Sequence, residues 1–152
     1  MAEPMTSWRR LTAVAGIALL SACAQNPPHA AASNPPTAAA AQPVWYHVMF
    51  ATNSYAIDAA GQKVVSDLTN FMQHDANAVA TIIGKTDSVG SDAYNMHLSH
   101  RRADAVRDAL VYSGKVPAVR VETRWTGDEK QNVASADGVA EPQNRVVDIA
   151  IH

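Results

Sequence analysis

From residue 44 onward the apolar positions fall into two alternating patterns. Val44–Phe50 (VWYHVMF), Val79–Lys85 (VATIIGK), Val119–Trp125 (VRVETRW) and Arg145–Ile151 (RVVDIAI) are short, rich in β-branched or aromatic residues, and read as strands. Between the first two, Ile57, Gly61, Val64, Leu68, Phe71 and Met72 recur at steps of three and four. That spacing predicts a helix from about Ala59 to His74, capped by Asp58, with Phe71 and Met72 packed into the core. Tyr94, Leu98, Ala105, Val106, Ala109 and Leu110 form a second such stripe. It predicts a helix over about Ser91–Ser113, with Ser91 or Asp92 as cap and Gly114 as the residue beyond its end. His74–Asn77 reads as a turn and residues 128–144 as a polar loop. The resulting order, β-α-β-α-β-β, fits a two-layer α+β domain with two helices packed on one face of a four-stranded sheet. Residues 44–152 are enough for that core without disulfides or metal.

Residues 1–43 have neither pattern. Arg9 and Arg10 precede a short apolar run, Leu11–Leu20, too short to span a bilayer, which needs about 20 residues. The run closes with Leu20-Ser21-Ala22-Cys23, so residues 1–22 read as a secretory signal and not as a membrane helix. The ending resembles a bacterial lipobox, which implies cleavage before Cys23 and lipidation of that cysteine, palmitate included. An ordinary signal followed by an incidental cysteine, or a twin-arginine signal, are the other readings. Cys23 is the single cysteine, so no intramolecular disulfide can form. Several acyl chains on one cysteine hold a membrane firmly where one does not. Ala24, in place of the aspartate that resembles an inner-membrane retention signal, points to the outer membrane. Residues 23–43 are then the lipidated cysteine and an Ala/Pro-rich tether, whose prolines favour extended chain of about 3.1 Å per residue. Net charge over the 152 residues is -2, which offers no basic field for nucleic acid.

The chemistry concentrates in residues 86–110. Arg102 sits inside the apolar stripe of the second helix, four after Leu98, where an unpaired charge is costly. Asp87, in the turn just before that helix, is the acidic candidate beside it, and Asn95 shares its face two turns earlier. Arg101 falls on another face and can stay in water. One reading is a structural Asp–Arg pair stapling the turn to the helix. The other is an opposite-charge site for a ligand that carries both an ammonium and a carboxylate.

Thr86-Asp87, Gly90-Ser91, Tyr94-Asn95, Leu98-Ser99 and Arg102-Ala103 together resemble the signature of OmpA-like peptidoglycan-binding domains, the OmpA C-terminal and Pal family. Phe50, Asn53 and Ser54 resemble that family's exit from the first strand, and Asn144-Arg145 its approach to the last. The resemblance covers about residues 44–152 and implies a mixed sheet. It also implies that an aspartate and an arginine clamp the zwitterionic end of diaminopimelate in the peptidoglycan stem peptide. Those roles fall on Asp87 and Arg102, with a supporting polar contact from Asn95 and with Asn53, Thr86 and Leu98 as further ligand-binding residues. The family often has an acid where Ala51 stands, a glycine where Trp125 stands and a second arginine where Val146 stands. The function implied is non-covalent tethering of the outer membrane to the cell wall, by a lipid-anchored protein with its domain in the periplasm.

Other classes find less in the sequence. It carries no G-x-S-x-G, H-E-x-x-H, phosphate-loop or dinucleotide fingerprint. His97, His100 and Asp104 lie on one helix, but the two histidines flank the Leu98 face, so solvated surface is expected rather than a metal site. No cofactor is expected. A subunit of a larger envelope or secretion complex, with envelope protein partners, is the main alternative. A cell-wall-acting enzyme is the weaker one.

Overall fold

Val146–Ile151 (β4) reads almost entirely apolar because it lies in the middle of the molecule, and all six of its residues are buried. In the computed structural model, which describes residues 42–152, it pairs on one side with β1 (Val44–Met49) and on the other with β2 (Ala80–Gly84), both antiparallel. β2 pairs in parallel with β3 (Val121–Trp125), giving a mixed four-stranded sheet in the order β1-β4-β2-β3. The proposed signal segment, Cys23 and the tether up to residue 41 lie outside the described residues.

Two helices, α1 (Ala59–His74) and α2 (Asp92–Asp108), cover one face of the sheet. Val48, Ile82, Val121, Val147 and Ile149 from the strands meet Leu68, Met72, Val106 and Leu110 from the helices in a single core. Asp58 caps α1 by accepting from the Gly61 amide at 2.8 Å, and Ser91 Oγ caps α2 by accepting from the Tyr94 amide at 3.3 Å. Gly84, at the end of β2, lets α2 lie directly on the strand. A Cβ there would fall 2.0 Å from the backbone oxygen of Ser99. Among the described residues no helix is long and apolar enough to cross a membrane.

Five details depart from the sequence reading. Phe71 is 40% exposed: Val65, Leu68 and Met72 take the sheet-facing stripe of α1, and Phe71 is turned off it. Tyr94, expected in the stripe of α2, is 44% exposed. The end of α2 loosens into a π-helical turn over Ala109–Ser113, closed by the Gly114 amide on the Ala109 oxygen at 2.9 Å. Gly114 is right-handed (φ -80°), and the left-handed residue is Lys115 (φ 57°). Finally, the third strand begins at Val121, because Ala118–Arg120 forms a 3-10 turn after Pro117.

The sheet face away from the helices carries one buried acid. Asp148 Oδ2 lies 2.8 Å from Lys85 Nζ, and its Oδ1 lies 2.7 Å from His47 Nδ1 and accepts from Asn132 Nδ2 at 3.3 Å. Burial alone would raise the carboxyl, but hydrogen bonds from Lys85 and then His47 outweigh it and hold it below its ordinary 3.8. Stability from this group is therefore present above about pH 4 and is lost as pH falls through the depressed value. Asp148→Asn leaves the Lys85 ammonium without its acid. It is expected to cost roughly 3 kcal/mol at pH 7, and the gap to the natural protein should narrow as urea unfolding is repeated at successively lower pH below about 4.

Candidate functional site

The loops leaving β1 and β2 converge at the N-terminal end of α2. Between them opens a cleft of about 230 Å³, lined by Thr52, Asn53, Asp87, Val89, Gly90, Tyr94 and Leu98. Asp87 is 5% exposed. Its Oδ2 accepts from Arg145 Nη1 at 3.0 Å and from the Glu141 amide at 3.3 Å. Its Oδ1 accepts from no residue among those described, yet is not sealed from solvent, so it is the oxygen left for the cleft.

Arg102 has no accessible surface at all. Nε donates to the Ser54 oxygen at 2.8 Å, Nη1 to the Lys85 oxygen and Nη2 to the Ala51 oxygen, both at 3.0 Å. Its guanidinium carbon stands 5.3 Å from the centre of the Phe50 ring. No hydrogen bond or ion pair joins it to Asp87 among the described residues, so the structural staple read from the sequence is not what holds this arginine. Burial pulls the guanidinium down to about 10, with Asp87 opposing and Arg145 adding to the shift, so it stays charged at neutral pH. Three of its five N–H groups are spent on carbonyls, and two remain.

The partner of Asp87 is Arg145, whose side chain is 13% exposed. The sequence reading matched Asn144-Arg145 to a motif but gave the arginine no role. The available signal was a charge set directly before an apolar buried strand, where it needs an acid. Loop 128–144 makes the pair possible. Asn144, fully buried, accepts from the Val133 amide and donates to the Val133 oxygen, both at 2.8 Å. Ser88 Oγ donates to the Ala136 oxygen at 2.9 Å, which lays the loop against the turn that carries Asp87.

The remaining expected residues divide. Asn53 and Leu98 line the cleft, and Asn53 holds a left-handed backbone (φ 52°) with its Oδ1 accepting from Tyr94 Oη. Asn95 and Thr86 are both fully buried and do not line it. Asn95 Nδ2 donates to Asp128 Oδ2 at 3.1 Å, while Asn95 Oδ1 and Thr86 Oγ1 are buried with no partner among the described residues. His97 is exposed near Tyr94, and His100 stacks on Trp125 with ring centres 3.8 Å apart and lies 3.2 Å from Asp104. Among the described residues no three His, Cys, Asp or Glu side chains converge on one point.

Comparison with known proteins agrees with the fold. Residues 49–145 match the sequence model of the OmpA family. The chain is 38% identical over 87 residues to outer membrane porin F of Pseudomonas aeruginosa, covering 57% of this chain and 25% of that protein. It is 30% identical over 105 residues to the probable lipoprotein YiaD of Escherichia coli, covering 69% of this chain and 48% of that protein. It thus spans about half or less of these curated relatives. The crystal structure of the peptidoglycan-associated lipoprotein from Burkholderia pseudomallei is similar at a TM-score of 0.65 and 28% identity, over 70% of this chain and 89% of that one.

Arg145→Met removes the cation from a nearly buried acid. It should lower the unfolding free energy by about 3 kcal/mol or more, measured by chemical denaturation at pH 7. A loss under about 1 kcal/mol, the range of exposed pairs, would show that Asp87 does not depend on it.

Proposed function

The chain belongs to the OmpA family, and from that premise we propose that its folded domain binds peptidoglycan non-covalently through the diaminopimelate of the stem peptide. The observation that carries this reading is the charge balance behind the cleft. Asp87, Arg102 and Arg145 are buried or nearly so, and together they hold two positive charges against one negative. Such a group is stabilised by an anion, and the open Oδ1 of Asp87 simultaneously calls for a donor. A ligand that presents a carboxylate and an ammonium on one carbon meets both needs.

In this reading Asp87 Oδ1 takes the ammonium. The two unspent N–H groups of Arg102 take the carboxylate, in a forked geometry that lysine does not reproduce. The backbone N–H groups at the start of α2 add positive potential. Asn53 and Leu98 wall the cleft, while Thr86 and Asn95 lie buried behind it. Arg102 is fully buried and does not line the cleft, so in this reading its contact with the ligand requires the surrounding carbonyl shell to open. The reading is one of binding without bond cleavage.

The same proposal extends to the rest of the chain. Residues 1–22 act as a lipoprotein signal, lipid on Cys23 anchors the protein in the outer membrane, and residues 23–43 span toward the wall. Many anchored copies beside a polymeric ligand do not need tight single-site affinity.

Sedimentation with purified sacculi tests the reading. Asp87→Asn keeps the shape of the side chain and should lower binding by about tenfold or more, the worth of a charge-assisted hydrogen bond. Arg102→Lys should do likewise, with folding of both checked by circular dichroism. Sacculi with lysine in place of diaminopimelate should bind the natural protein more weakly. Undiminished sedimentation of both folded variants contradicts the assignment, and release of soluble wall fragments contradicts binding without cleavage.

A further inference from the structure

The cleft does not end at Leu98. A smaller hollow of about 100 Å³ continues it, sharing Asn53, Tyr94 and Leu98 and adding Tyr55, His97 and Arg101. Along α2, Tyr94, Leu98 and Arg101 follow at steps of four and three and so form one wall. Asn53 and Tyr55, from the loop between β1 and α1, form the other.

Arg101 is exposed, and it is not loose in water. Its guanidinium carbon lies over the Tyr55 ring, 4.4 Å from its centre, in a cation–π contact. It makes no hydrogen bond or ion pair with any described residue, so among these residues none of its five N–H groups is spent. A stacked guanidinium keeps its edges free for a planar oxyanion. No acidic side chain lines this outer hollow, whereas Asp87 lines the inner cleft. The groove therefore runs from an end lined by Asp87, with Arg102 and Arg145 behind it, to an end lined by Arg101. The span from Tyr94 to Arg101 is on the order of 10 Å along the helix, about three residues of extended peptide.

Resting on the reading of the inner cleft as the zwitterion site, we propose that Arg101, seated on Tyr55, binds a second carboxylate of the same peptide, roughly 10 Å from the first charged centre. The ligand of this groove is then an acidic peptide recognised at two points, not a single amino-acid end. A wall peptide whose second carboxylate is amidated is a poorer ligand than one in which it is free.

The test uses two synthetic diaminopimelate-containing tetrapeptides, identical except that the C-terminal carboxylate is free in one and amidated in the other. Affinities are measured by calorimetry at low salt. The natural protein is expected to prefer the free acid by about threefold to tenfold, the worth of a partly exposed charged contact. Arg101→Gln should bring that preference close to one, and Arg101→Lys should leave part of it. A merely structural role for Arg101 would change both affinities together and leave their ratio intact, and that result overturns the proposal. If the natural protein binds both peptides equally well, the outer contact is wrong while the inner cleft stands. If it binds neither, both readings fall.

Discussion

A guanidinium cut off from water must find acceptors inside the protein or unfold the region around it. Arg102 finds three, the carbonyls of Ala51, Ser54 and Lys85. Two belong to the loop leaving β1 and one to the exit of β2, so a single side chain on α2 ties together the two loops that carry Thr52, Asn53 and Asp87 into the cleft. The arrangement reaches further through Lys85. Its carbonyl serves Arg102, while its ammonium pairs with Asp148 on the opposite face of the sheet. One residue thus belongs to both systems.

The second constraint is the unequal charge behind the cleft. Asp87 is neutralised by Arg145, which leaves the Arg102 charge without an acid in contact with it. Carbonyl oxygens solvate a guanidinium but do not cancel its charge, and burial draws Arg102 down to about 10. On the proposed reading, an arriving carboxylate offsets that charge. Loop 128–144, featureless in sequence, is the backing that keeps Asp87 in place, through the Glu141 amide, the Ser88–Ala136 bond and the buried clasp of Asn144 on Val133.

The fold was largely legible because its signals are local. Alternation marked the strands, a three-to-four spacing marked the helices, and Asp58 and Ser91 marked their starts. The errors arose where a local signal meets a tertiary one. Phe71 has the spacing of a core residue, but the sheet accepts Val65, Leu68 and Met72 instead. The left-handed residue after α2 is Lys115 and not Gly114, whose added Cβ would lie 2.5 Å from Thr69 Oγ1. At the site, the misfit of Arg102 in an apolar stripe was visible from spacing alone. Its true acceptors were not, since backbone carbonyls leave no mark in a sequence. Arg145 lay 58 residues from Asp87, and only the closure of the sheet brings the two together.

The central claim is that the cleft beside Asp87 and Arg102 recognises an ammonium and a carboxylate together. It is tested most directly by titrating the isotopically labelled protein with free diaminopimelate and following its nuclear magnetic resonance spectrum. Saturable shifts are expected at the amides of Asn53, Asp87, Gly90 and Tyr94 and at the Arg102 Nε, with much weaker shifts when lysine replaces diaminopimelate. Unmoved signals there, or shifts confined to the hollow of about 320 Å³ around His47 and Asn132 on the other face of the sheet, would contradict it.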